Sequence, residues 1–114
     1  MENCIFCKIV KGEIPSKKVY EDDSVFAFED IKPTAPLHVV IVPKKHISAI
    51  SEITQEDERV IGRIQAVAAK IAKERKECAQ GYRIVNNCGA DAGQTVFHVH
   101  YHLLGGRKFS WPPG

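Results

Sequence analysis

The chain has 114 residues, 44% apolar and 26% charged, which suits one globular unit around a single core, residues 1–114. A formal charge of +2, with scattered basic pairs such as Lys17-Lys18 and Lys44-Lys45, argues against a duplex nucleic-acid partner. The longest buried-looking run, Val39-Val40-Ile41-Val42, is far short of a membrane span, and Met1-Glu2-Asn3-Cys4 is no basic leader, so a cytoplasmic protein is expected.

In chain order, a short helix is expected over residues 7–11. Val19-Tyr20 and residues 24–28 read as strands around the turn Glu21-Asp22-Asp23. Residues 32–36 form a loop punctuated by two prolines. Residues 38–42 are an apolar strand, stopped by Pro43. Thr54-Gln55-Glu56-Asp57 has the form of a helix capping box, with Asp in the place usually held by Glu or Gln. Behind it, Val60, Ile61, Ile64, Val67, Ala68, Ile71 and Ala72 recur at helical spacing and read as plain core. Acids in the first turn (Glu56, Asp57, Glu58) and bases near the end (Lys73, Arg75, Lys76) suit the helix dipole. Gly81 is the expected stop. Gly62 costs this helix stability relative to alanine, and the pattern offers no reason for it. Residues 82–86 are the next strand, followed by a polar, glycine-bearing loop over 87–94. Strands joined mostly by loops, with one long helix, indicate an α+β fold with an antiparallel sheet.

Residues 95–106 carry the densest chemistry. His98, His100 and His102 stand at every second position, among Val96, Phe97, Val99, Tyr101, Leu103 and Leu104. That composition is strand-like. In a strand the three imidazoles share one face, neighbours roughly 6–7 Å apart, and Phe97, Val99, Tyr101 and Leu103 fill the other. The outer two are then about 13 Å apart, so one metal ion does not easily take all three. Two could ligate with a third group from elsewhere. Alternatively the middle imidazole attacks while a neighbour orients it and another serves the leaving group or phosphate. Geometry alone leaves both open. Gly93-Gln94-Thr95 lies just before the row, where backbone amides, the Gln94 amide and the Thr95 hydroxyl can meet an anion. Asp30 follows a strand, where a carboxylate can take ribose hydroxyls.

Cys4-x-x-Cys7 has metal-ligand spacing, and no strand precedes it as a redox pair would require. A closed tetrahedral site needs two more ligands, and five histidines are available: His38, His46, His98, His100 and His102. Cys78 and Cys88 lack such spacing.

His98-Val99-His100-Tyr101-His102-Leu103-Leu104 resembles the signature of the histidine triad superfamily, His-φ-His-φ-His-φ-φ with φ apolar. The resemblance extends to Asn3-Cys4-Ile5-Phe6-Cys7-Lys8-Ile9 with Gly12-Glu13-Ile14-Pro15, to Phe28-Glu29-Asp30-Ile31, and to residues 36–47. Gly105-Gly106-Arg107 and Trp111-Pro112-Pro113-Gly114 resemble the end of its nucleotide-binding (Hint) branch. The resemblance implies a meander of about five strands with two helices. It implies a hydrolase of purine nucleoside phosphoramidates, with His100 as nucleophile and His102 and His38 at the phosphate. It gives Asp30 to the ribose, Phe6, Ile9, Phe28 and Ile31 to the base, and Asn87, Gly93 and Thr95 to the phosphate. Many Hint relatives have Ser where Thr95 stands. Similarity to zinc-binding bacterial members adds His46 and His98 to Cys4 and Cys7 as ligands of a structural zinc.

A full triad, with His102 where the nucleotidyltransferase branch has Gln, favours hydrolysis over transfer. Dinucleoside polyphosphate hydrolysis, and a nucleotide-binding interaction module with incidental hydrolysis, are the alternatives. A small sheet with one amphipathic helix leaves apolar surface, which a two-fold homodimer commonly buries. The stiff aromatic tail is expected to reach the other subunit's pocket, as the resemblance implies.

Overall fold

The structure, a computed structural model, describes residues 3–114. Met1 and Glu2, read above as part of a non-leader segment, lie outside the described residues. The elements are α1 (Ile5–Val10), β1 (Lys18–Glu21), β2 (Val25–Glu29), β3 (Leu37–Pro43), α2 (Glu58–Lys73), β4 (Tyr82–Asn86) and β5 (Tyr101–Gly105). The α+β expectation holds, and the five strands form one antiparallel sheet. A simple meander does not: the order is β1-β2-β3-β5-β4. The α2 crossover sets β4 down one slot away from β3, and β5 returns to fill the gap. It pairs from Leu37↔Gly105 to Ile41↔Tyr101 on one side and from Tyr82↔Gly105 to Asn86↔Tyr101 on the other.

Strand alternation gives the sheet two distinct faces. Ala27, Val39, Ile41, Tyr101 and Leu103 meet the apolar stripe of α2, where Ile64, Val67, Ala68, Ile71 and Ala72 are buried. Each fully buried aliphatic side chain here contributes roughly 1.5–3 kcal/mol. Phe26, Phe28, Val40 and Val42 face the other way and pack with Phe6 and Ile9 of α1. α1 is only six residues long. The face therefore continues past it to His38 and His102, whose neighbours in register are Leu104 and Val40.

The Thr54 capping box forms, in a 3-10 turn over Gln55–Asp57 that leads into α2. Asp57 accepts the Thr54 N–H (3.0 Å) and also the Lys45 ammonium (2.6 Å), a second partner that suits the shorter carboxylate. Gly81 does not stop the helix. α2 ends at Lys73, and Arg75 takes an extended conformation that leads into a 3-10 turn over Lys76–Cys78. Cys78 is buried against Gly105, where a Cβ would lie 2.7 Å from its sulfur. The short helix begins two residues earlier than expected, at Ile5, capped by the Cys4 sulfur, which accepts the Cys7 N–H (3.3 Å).

Candidate active site

The three histidines do not share one strand face. β5 begins only at Tyr101, and residues 96–98 form a bend. Val99, Tyr101 and Leu103 enter the α2-side core, but Phe97 is 54% exposed. The cause is a long-range bond: the Val99 N–H donates to the Ile47 carbonyl (2.7 Å) instead of a sheet partner. The chain is thereby pinned outside the ladder just where His98 must turn away.

His98 is fully buried. Its Nε2–H donates to the Pro43 carbonyl (2.8 Å), so its Nδ1 lone pair faces Cys4 Sγ at 3.3 Å and Cys7 Sγ at 3.6 Å. His46 Nδ1 lies 3.4 Å from Cys7 Sγ. The donor atoms of Cys4, Cys7, His46 and His98 all lie within 4.8 Å of one another, close enough to share one metal ion. Burial holds His98 below the ordinary imidazole value, in the neutral form that ligates. Burial and the neighbouring Cys4 push the Cys7 thiol up. A cation would reverse that balance and favour the thiolate.

His100 uses the opposite nitrogen. Its Nδ1–H donates to the His98 carbonyl (2.9 Å). A carbonyl only accepts, so the neutral tautomer of this ring has its lone pair on Nε2. Among the described residues every fully buried side-chain nitrogen and oxygen has a partner, and this Nε2 has none there, so it reaches solvent. Asn86 Nδ2 donates to the His100 carbonyl (2.9 Å), and Phe6 packs its ring edgewise at 5.0 Å. The result is an imidazole oriented by its backbone and by Phe6, with Nε2 turned outward.

A second chain of bonds fixes the neighbouring rings. The Thr34 N–H donates to His38 Nδ1 (3.1 Å), so His38 carries its proton on Nε2. That proton is donated to His102 Nδ1 (2.8 Å), which leaves His102 with Nε2–H directed onward. Asp30 Oδ2 stands 3.5 Å from His38 Nε2, and its other oxygen accepts the Lys32 N–H (2.7 Å). The His100 and His102 rings are 5.1 Å apart. Burial lowers the pKa values of His38 and His102. His102 falls to about 4, helped by His100 and His38, while Asp30 opposes the shift in both rings. Thr34 was not singled out above; a backbone donor to a side chain four residues on leaves no compositional trace.

The remaining expected residues fall unequally. Phe6, Ile9 and Phe28 come together in one buried cluster. Ile31 is 92% exposed beside Asp30, in a shallow depression with Pro15, Ser16 and Pro33. Asn87 is half-buried at the end of β4, and Gly93 takes the left-handed conformation (φ 85°) that glycine favours. Thr95 is exposed, next to the cluster of Cys4 and His46. Gln94 is different. Its side-chain NH2 donates to the Ser48 and Val96 carbonyls, its Oε1 accepts the Gly89 N–H, and its own N–H donates to the Gly89 carbonyl. With every donor engaged, Gln94 organises the loop and offers none to an anion.

Residues 11–109 match the HIT domain model. The chain belongs to the HIT family. It is 47% identical over 106 residues to the purine nucleoside phosphoramidase of Escherichia coli K12, covering 93% of this chain and 89% of that one. It is 49% identical to an uncharacterized HIT-like protein of a Synechocystis species, covering 99% and 98%. Among solved HIT structures, the HIT family hydrolase from Legionella pneumophila superposes with a TM-score of 0.95 at 47% identity, covering 98% of this chain and all of that one. A histidine triad protein from Clostridium difficile gives 0.92 at 50% identity, with 96% of each chain covered. Within the described residues, no helix is long and apolar enough to cross a membrane.

Proposed function

We propose that this HIT protein hydrolyses the P–N bond of purine nucleoside 5′-phosphoramidates through a nucleotidyl-histidine intermediate on His100. The carrying observation is the His100 tautomer. Nδ1–H is held by the His98 carbonyl, so the nucleophilic lone pair sits on the solvent-facing Nε2. The 47% identity to a purine nucleoside phosphoramidase supports the reaction class.

His100 Nε2 attacks phosphorus and forms the new P–N bond; the bond to the amine breaks. The departing amine needs a proton. Burial lowers the pKa of both His38 and His102, which favours a neutral pair. A phosphoramidate anion beside them favours an added proton, as Asp30 already does. That proton passes from His102 Nε2 to the amine. Water then attacks phosphorus, giving a proton to the now neutral pair, and the bond to His100 breaks. The nucleoside monophosphate leaves, the pair returns its added proton to solvent, and the starting enzyme results. In this reading Asp30 takes the ribose, Phe6, Ile9, Phe28 and Ile31 border the base, and Asn87, Gly93 and Thr95 border the phosphate. Rapid quenching with labelled adenosine phosphoramidate should trap the nucleotide on His100; turnover without any such adduct excludes this route.

Cys4, Cys7, His46 and His98 hold zinc in this reading. Zinc–sulfur bonds of about 2.3 Å and zinc–nitrogen bonds of about 2.0–2.1 Å give sulfur–nitrogen edges of roughly 3.5 Å in a tetrahedron. The observed edges are 3.3, 3.4 and 3.6 Å. Bound there, zinc would play a structural part, with these four residues joining α1 to the segments after β3 and before β5. The protein is one HIT domain over residues 1–114, placed in the cytoplasm, where its four free cysteines stay reduced. It pairs as a homodimer through β4, an edge strand whose half-buried Ile84 and Val85 would extend the sheet into a partner. Trp111, 81% exposed within one chain, gains cover there.

A further inference from the structure

Helix α1 links the two chemical centres. It is bracketed by two cluster residues, Cys4 as its cap and Cys7 inside it. Between them stands Phe6, whose ring meets His98 at 5.9 Å, His100 at 5.0 Å and Phe28 at 5.6 Å. Six residues are far too few for a helix to hold itself together in water. Its seat rests on Phe6 and Ile9 in the smaller core and on the cysteines. The opposite end of the cluster is tied down as firmly. His98 is held by Pro43 through Nε2, and its own carbonyl is the acceptor that fixes the tautomer of His100. Val99, between the two histidines, is pinned to Ile47, which follows the cluster residue His46. So His98 touches the cluster with its ring and the nucleophile with its backbone.

We infer that the metal-loaded Cys4–Cys7–His46–His98 cluster is the positioning element of the nucleophile. By clamping α1 and the His98 segment together it presses Phe6 against the His100 ring and fixes the carbonyl that keeps the His100 proton on Nδ1. Phe6 and His98 are positioning residues, acting through His100. The inference rests on His100 being the nucleophile, but its primary readout does not. That readout is the His100 tautomer, seen in long-range proton–nitrogen NMR spectra of the full chain above neutral pH.

Zinc-loaded protein should show His100 as a single Nδ1–H tautomer. After chelation it should become a mixture of tautomers, with His38 and His102 unchanged, and added zinc should restore it. Turnover of adenosine phosphoramidate should fall about tenfold to a hundredfold in kcat, the usual cost of losing an outer-sphere partner. A bound ribose 5-phosphate, which lacks the base, should lose little affinity. Because chelation can unfold the chain, Phe6→Leu supplies a second arm. It leaves all four ligands in place, so zinc content should stay at the wild-type level while the mixed tautomer and the lower kcat appear. A zinc-loaded Phe6→Leu protein with wild-type kcat and a single tautomer overturns the inference, as does a folded metal-free chain with both intact. A wild-type protein that shows the expected tautomer changes but never forms an adduct overturns the phosphoramidase reading alone.

Discussion

His102 should make the protein lose stability on mild acidification. Its folded pKa is about 4, against 6.5 for a free imidazole, chiefly because the ring is buried beside His100 and His38. Between those two values the unfolded chain binds the proton more readily than the folded one. Stability therefore rises with pH across that window. The contribution is complete above 6.5, is lost as pH falls towards about 4, and changes no further below. Each pKa unit is worth about 1.4 kcal/mol, which gives roughly 3 kcal/mol for the whole gap. The ring is only partly buried, and solvent screening reduces this to about 1–2 kcal/mol.

The clean perturbation is His102→Gln. Gln keeps an acceptor for the His38 Nε2–H and a donor towards the site, but it does not titrate. Urea unfolding of zinc-loaded wild type and variant at stepped pH measures the difference. Between 6.5 and about 4 the wild type should lose about 1–2 kcal/mol more than the variant. Parallel curves, or a wild type that gains stability on acidification, refute the neutral, buried His102. The same logic makes AMP binding take up protons near neutral pH, visible as a buffer-dependent heat.

Four further outcomes are expected. His100→Ala should lower turnover of adenosine phosphoramidate by at least about 10³ and still bind AMP, checked by steady-state kinetics and calorimetry. Metal analysis should find about one zinc per chain, and Cys4→Ser should lose it and melt at a lower temperature, because metal affinity is folding free energy. Light scattering should report twice the 12.7 kDa chain mass, and deleting residues 111–114 should change leaving-group preference more than melting temperature. Gly105→Ala places a Cβ 2.7 Å from Cys78 Sγ and should cost about 1–3 kcal/mol in chemical denaturation, with most of it recovered by adding Cys78→Ala.

Much of this architecture is local and therefore legible. The α2 stripe, the Thr54 cap and β4 depend on neighbours within a few residues, and they stand almost where periodicity places them. The cluster of Cys4, Cys7, His46 and His98 came from resemblance, and the fold brings all four together. What pattern could not supply depends on distant partners. The strand order turns on where the α2 crossover lands. The bend at 96–98 goes with the bond from Val99 to Ile47, about fifty residues earlier, and Phe97 within it is exposed. Gln94 looked like a donor because its amide is polar and sits in a glycine-bearing loop. Its bond to Ser48, again far away in sequence, commits it to structure.

Within the motif itself, identical side chains two residues apart acquire opposite chemistry, and backbone carbonyls decide which. The Pro43 carbonyl takes the proton on His98 Nε2, so the lone pair appears on Nδ1, close to the ring's attachment, and turns inward to the cysteines. The His98 carbonyl takes the proton on His100 Nδ1, so that lone pair appears on Nε2, at the far end of the ring, and turns outward to the site. A metal ligand buried among sulfurs gains from the first arrangement; a nucleophile that must reach phosphorus gains from the second. The tautomer of His102 is then set from a third direction, through His38 and the Thr34 amide, so that it offers a proton instead of a lone pair. Three imidazoles are thus oriented for three different tasks, because three acceptors or donors in the surrounding backbone each fix where one proton sits.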